Sequence, residues 1–174
     1  MAKSLKGYKA FRMGPIAVDG GMGTALVALG TTVKGSVNAT TSDATTKDFN
    51  IEEQTEAFES VVTAQPQLSG VLEIYDVDAD VAVKLWGGTV TSTGTGATKK
   101  KVFTPPVVFV PLEVSSEIES LNGAVLGIVR TQLLPKWNLS FQDEELGKLV
   151  VAWKALGPKK AATPSYTLAV PDPA

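Results

Sequence analysis

The sequence predicts a mainly β fold: a β-sandwich or barrel-like body with one short flanking α-helix and a long extended hairpin. Three observations carry this expectation. Short runs rich in Val, Thr and Ile recur along the chain, each bounded by Gly, Pro, Asn or Asp, which punctuate antiparallel strands. Apolar residues at helical spacing are scarce. The 174 residues, 44% of them hydrophobic, are enough for one packed core, so a single domain over 1–174 is expected.

In chain order, the first strand is expected at Pro15–Val18, ended by the turn formers Asp19, Gly20 and Gly21. A second runs from about Thr31 to Thr41. The polar stretch Ser42–Lys47 follows, and then Asp48–Val62, where Asp48, Glu52, Glu53, Glu56 and Glu59 alternate irregularly with Phe49, Ile51, Phe58 and Val61. Residues from about 32 to 65 therefore read as one long hairpin with a mobile tip. Removing Ser42–Glu56 is expected to leave a folded body. The clearest strand signals come at Gly70–Tyr75 and Leu149–Ala155. In the latter, Leu149, Val151, Trp153 and Ala155 alternate with Val150, Ala152 and Lys154, so both faces are partly apolar and burial on two sides is expected.

One helix is predicted over about 78–86. Asp78 stands where an N-cap belongs, Asp80 complements the helix dipole, Val81 and Leu85 lie one turn apart, and Gly87 with Gly88 ends it. The next segment, about 89–101, is nearly all Thr, Ser, Gly and Lys and predicts an exposed flexible loop, with Lys99, Lys100 and Lys101 at its solvated end. Val107–Pro111 reads as a short apolar strand between prolines. Ala124–Leu134 reads as a longer one that Pro135 stops or kinks, and Tyr166–Val170 as a final edge strand between Pro164 and Pro171.

The residue inventory argues against catalysis. The chain has no cysteine and no histidine, which removes disulfides, thiolate metal sites and the commonest general base, so no enzyme activity and no cofactor are expected. Glu52 with Glu53, and Asp143 with Glu144 and Glu145, are the available carboxylate groups for acid–base work. Adjacent acids on a strand point to opposite faces, however, and such doublets usually mark solvated edges or turns. The run Gly20-Gly21-Met22-Gly23-Thr24 follows a strand signal, as phosphate loops do. It lacks the Gly-Lys-Ser/Thr ending and the third glycine of a dinucleotide loop, and a flexible connection explains it better. Trp86, Trp137 and Trp153 sit beside apolar residues, where large rings serve core or interface, with Trp137 the one expected to be exposed.

A formal charge of −2 gives no surplus for gripping nucleic acid. Met1–Arg12 mixes Lys3, Lys6, Lys9 and Arg12 with single apolar residues, unlike the unbroken apolar stretch of a secretion signal, and no later run is long enough to span a membrane.

Four segments follow one another in a recognisable order. Gly35-Ser36-Val37 enters a Thr-rich strand, and from Thr45 to Glu53 a Thr-rich run passes into an aromatic and acidic one. Leu72-Glu73-Ile74-Tyr75 before the helix ending Trp86-Gly87-Gly88 continues the pattern, as does Leu139 to Leu146 before the strand Leu149–Leu156. Together they cover most of Thr31 to Leu156, and in this order they resemble the tail tube (major tail) proteins of long-tailed bacteriophages. The resemblance implies a β-sandwich with a flanking helix, with no catalytic residues. It implies a homo-oligomer of hexameric rings that stack into a tube in the virion tail after assembly in the host cytoplasm. It further implies other tail proteins at the tube ends, transient non-specific passage of double-stranded DNA, and no membrane. A DNA conduit is expected to be neutral or acidic, since basic walls hold phosphates. Asp43, Asp48, Glu52, Glu53 and Glu56 are the candidates for lumen or inter-ring positions. The alternatives are a capsid decoration protein or other partner-binding surface sandwich, which a discrete aromatic patch would favour, and the tube protein of a bacterial contractile injection system.

Overall fold

In the computed structural model, which describes residues 5–142 and 145–172, the organising element is a 14-residue strand that runs the length of the sheet. The elements in chain order are β1 (Tyr8–Gly14), β2 (Val27–Ala28), β3 (Asn38–Thr41), β4 (Thr45–Phe49), β5 (Glu59–Ala64) and β6 (Leu68–Ile74). Then come α1 (Ala79–Trp86), β7 (Thr89–Thr93), a single 3-10 turn (Gly96–Thr98), β8 (Lys100–Thr104), β9 (Glu113–Ser120), β10 (Val125–Asn138), β11 (Lys148–Ala155) and β12 (Tyr166–Ala169). The fold is mainly β and sandwich-like, with one α-helix among the described residues.

The strands of the body pair antiparallel in the order β2-β1-β9-β10-β11-β6-β3. β12 also pairs with β10, beside Val125–Ile128, while β11 takes the same edge from Thr131 to Asn138. Between these two partners the register of β10 against β9 shifts from Ile128↔Ser116 to Thr131↔Val114, a bulge that bends the strand. β10 therefore serves two half-sheets, one with β9, β1 and β12, the other with β11, β6 and β3. Phe11, Met13 and Ile128 from the first half join Leu72, Ile74, Leu149, Val151 and Trp153 from the second in one buried cluster. The chain between β2 and β3 ties the two outer edges together. Leu29 N–H donates to Phe11 O at 3.1 Å on one side, and Thr32 bridges Ile74 on the other.

Strict alternation explains β11: Leu149, Val151, Trp153 and Ala155 are buried, and the residues between them are half-buried. Trp153, the largest buried side chain, is accommodated because its β6 neighbour is glycine. A Cβ at Gly70 would stand 2.5 Å from the Trp153 ring and 2.1 Å from Asn38 O. The helix buries Val81, Ala82 and Leu85, as its spacing predicts, and ends at Gly87, whose φ of 73° lets its N–H reach Val83 O. Asp78 holds the N-cap position in extended conformation, without a side-chain capping bond.

Several charges on the body are paired. Lys9 and Arg12 on β1 face Glu117 and Glu119 on β9, with Arg12 Nη1 donating to Glu117 Oε1 at 2.7 Å. Arg130 grips Glu113 with two bonds, Nη2 to Oε1 at 2.6 Å and Nε to Oε2 at 2.9 Å. Lys9 and Arg12 hold the Glu119 carboxyl below its ordinary range, and Arg130 does the same for Glu113.

Several expectations are corrected. The first strand is Tyr8–Gly14, Pro15–Ala17 has no regular structure, and a turn at Val18–Asp19 is closed by Gly20 N–H on Ala17 O. Lys9 and Arg12 disguised β1, because their partners lie more than a hundred residues away. The stretch 31–41 is not one strand: Ser36 N–H donates to Val33 O in a turn, and β3 begins only at Asn38. The stretch 89–101 is an ordered hairpin rather than a loop, its Thr and Val residues pairing with Lys100–Thr104 and Phe103 packing beside Trp86. Val107–Pro111 forms no strand, and Val107 and Val108 are exposed. Pro135 neither stops nor kinks β10, where it pairs opposite Val151. Leu133 N–H points to Leu112 O, so by alternation position 135 directs its missing N–H toward the side where β9 has already ended. Asp143 and Glu144 lie outside the described residues.

Candidate assembly surface

The long hairpin is the feature that separates this chain from a simple sandwich. Its arms are paired from Thr31, whose carbonyl accepts from Tyr75 N–H at 3.0 Å, through β3 with β6, to β4 with β5. Phe58 N–H to Phe49 O at 2.8 Å closes the tip. The return arm therefore continues past Gln65 to Ile74, nine residues beyond the expected span. The inner part, β3 with β6, belongs to the body. The outer part, β4 with β5, is a two-stranded ribbon in which every residue is exposed.

The ribbon is neither polar nor plain. Lys47 pairs with Val61 and Phe49 with Glu59, so these four share one face, and the Lys47 ammonium lies 5.2 Å from the centre of the Phe49 ring. Phe58 is 61% exposed at the tip, and Ile51 and Val62 are exposed as well. All five candidate acids map to this projection. Asp43 stands at its neck, Asp48 on β4, and Glu52, Glu53 and Glu56 in the tip between the strands. All are exposed, and no ion pair engages them among the described residues. The fold gathers them on one element without drawing any three into a group able to hold a metal ion, among the described residues.

At the other end of β6 lies a second surface. Ile74, Leu149 and Trp137 form one row across β6, β11 and β10. Trp86, at the end of α1, stacks on Trp137 with ring centroids 4.6 Å apart and planes 9° apart, and Phe103 of β8 packs at 6.3 Å from each. The β7–β8 hairpin lies along the helix, held by the Lys101–Asp80 ion pair, while Lys99 and Lys100 stay exposed. Phe141, 93% exposed, stands in the loop that joins β10 to β11 just beyond Trp137. The sequence marked each tryptophan separately. Their stacking depends on the hairpin at 89–104, which the loop expectation hid.

Two other features resolve simply. The Gly20–Gly23 run is a packed turn, with Gly21 N–H on Asp19 Oδ1 and Gly23 N–H on Ser115 Oγ, both at 2.9 Å, so these amides are not free for a phosphate. An apolar cleft of about 680 Å3 opens between β1, β3, β12 and the β9–β10 turn, lined by Tyr8, Val37, Ile118, Leu126 and Leu168. Of its polar wall groups, Tyr8 Oη bonds Thr32 Oγ1 and Glu119 pairs with Lys9 and Arg12. No helix among the described residues is long and apolar enough to cross a membrane. No protein-family model matches the chain, and no curated protein matches it.

Proposed function

We propose that this chain is a structural subunit without catalytic activity, which self-assembles into stacked rings forming the tail tube of a long-tailed bacteriophage, the conduit for genome ejection. The observation that carries the proposal is the fully exposed β4–β5 ribbon with Phe49, Ile51, Phe58, Val61 and Val62 in solvent. A two-stranded ribbon alone is marginal in water, and large apolar side chains gathered in solvent on one projecting element favour a place where another molecule binds. The mainly β body with a flanking helix agrees with what the family resemblance implies.

Hollow tubes or stacked rings in negative-stain micrographs of the concentrated protein would support this function. A second reading, a partner-binding surface sandwich, is favoured by one observation, the Trp86–Trp137–Phe103 cluster with Trp137 partly exposed. A chain that remains monomeric at every concentration, yet binds another virion protein through that cluster, would favour the second reading.

A further inference from the structure

We propose that the β4–β5 ribbon of one copy docks on the helix end of a second copy, its tip carboxylates against Lys99 and Lys100 of the β7–β8 hairpin. This rests on the self-assembly proposed above and names the surface that receives the ribbon.

Three observations identify the occupant as a second copy. The ribbon holds Phe49, Ile51, Phe58, Val61 and Val62 exposed among the described residues. Its charge is one-sided: residues 42–64 hold six acids, Asp43, Asp48, Glu52, Glu53, Glu56 and Glu59, against Lys47 alone. Residues 89–104 hold Lys99, Lys100 and Lys101 and no acid. Lys101 is occupied by Asp80, which leaves Lys99 and Lys100 as the cations of that hairpin without an ion pair among the described residues.

Position then decides between self-contact and contact with a neighbour. The ribbon leaves β6 at its Leu68 end, where Thr41 pairs with Leu68 and Ser42 N–H donates to Gln67 O. The helix, the aromatic stack and the β7–β8 hairpin lie at the Ile74 end, some 20 Å away at a rise of roughly 3.3 Å per residue. Complementary surfaces at opposite ends of one strand meet only between copies. A head-to-tail contact of this kind repeats along a stack when the rotation between copies does not close it into a ring. Exposed Val102 and Phe141 at the receiving end offer apolar surface to Phe49 and Phe58. The tip acids are then spent on the contact between copies and not on a lumen wall.

The test compares four full-length chains by light scattering across concentration at low and high salt: wild type, Glu52→Lys/Glu53→Lys/Glu56→Lys, Lys99→Glu/Lys100→Glu, and the chain carrying all five changes. Far-UV circular dichroism checks that each is folded. Each one-sided reversal is expected to raise the concentration needed for assembly by about tenfold or more, because like charges then face each other. The five-fold variant is expected to recover assembly. Wild-type assembly is expected to weaken as salt rises, since screening shortens from about 10 Å at 0.1 M to about 3 Å at 1 M. One-sided variants that assemble like wild type, or a five-fold variant no better than either, would overturn the pairing and leave the tube standing. Wild type that never associates would overturn both.

Discussion

The β10–β11 pair and the β4–β5 ribbon are both antiparallel two-strand units, yet they hold their shape for different reasons. In β11 every second residue is buried, and neighbouring charges such as Arg130 with Glu113 and Lys148 with Glu73 are paired. In the ribbon no residue is buried, and the acids have no ion partner among the described residues. Hydrogen bonds alone contribute little net stability, because water offers the same bonds to the unfolded chain. The body is thus stabilised by its own core, whereas the ribbon presents what a core would contain to whatever lies outside the chain.

The contrast is sharpest when the ribbon is removed. Replacing Thr45–Ala64 by Asn-Gly, a two-residue turn suited to joining β3 to β6, should abolish assembly and leave a folded body with a near-wild-type thermal midpoint. A body that unfolds would break the distinction. The structure moves this cut: removing only Ser42–Glu56 would take β4 away and leave β5 unpaired.

Inside the body, Trp153→Ala should cost about 3–5 kcal/mol in denaturant unfolding, the range for deleting a buried aromatic ring. A smaller acid effect follows from Glu113 and Glu119, whose carboxyls are held below their ordinary range by Arg130 and by Lys9 and Arg12. Their contribution is complete above the unfolded carboxyl value of about 4.3 and is lost as pH falls through the lower folded values. The thermal midpoint should therefore drop on acidification, and Glu113→Gln should flatten that drop. The smallest effect on folding belongs to the ribbon: Phe58→Ser should change unfolding free energy by less than about 0.5 kcal/mol, as exposed sites do, while raising the concentration needed for assembly.

Much of this was legible where local pattern and tertiary role coincide. The alternation of β11, the apolar spacing of α1 and the proline-bounded β12 each declare the element they form. The acidic and aromatic projection was visible because its composition fits no core. Illegible parts depend on distant partners. β1 gave no strand signal because Lys9 and Arg12 interrupt its apolar residues and their partners Glu117 and Glu119 are far away in sequence. The β7–β8 hairpin looked like a flexible loop because its Thr residues gain meaning only from pairing and from Phe103 beside Trp86. Pro135 looked like a breaker because the sequence does not say which side of β10 lacks a neighbour.

The most direct measurement is negative-stain electron microscopy of the purified full-length chain across a concentration series, with light scattering on the same samples. The account predicts hollow tubes or stacked rings whose repeat is built from identical subunits. Single particles of subunit mass at every concentration would contradict it.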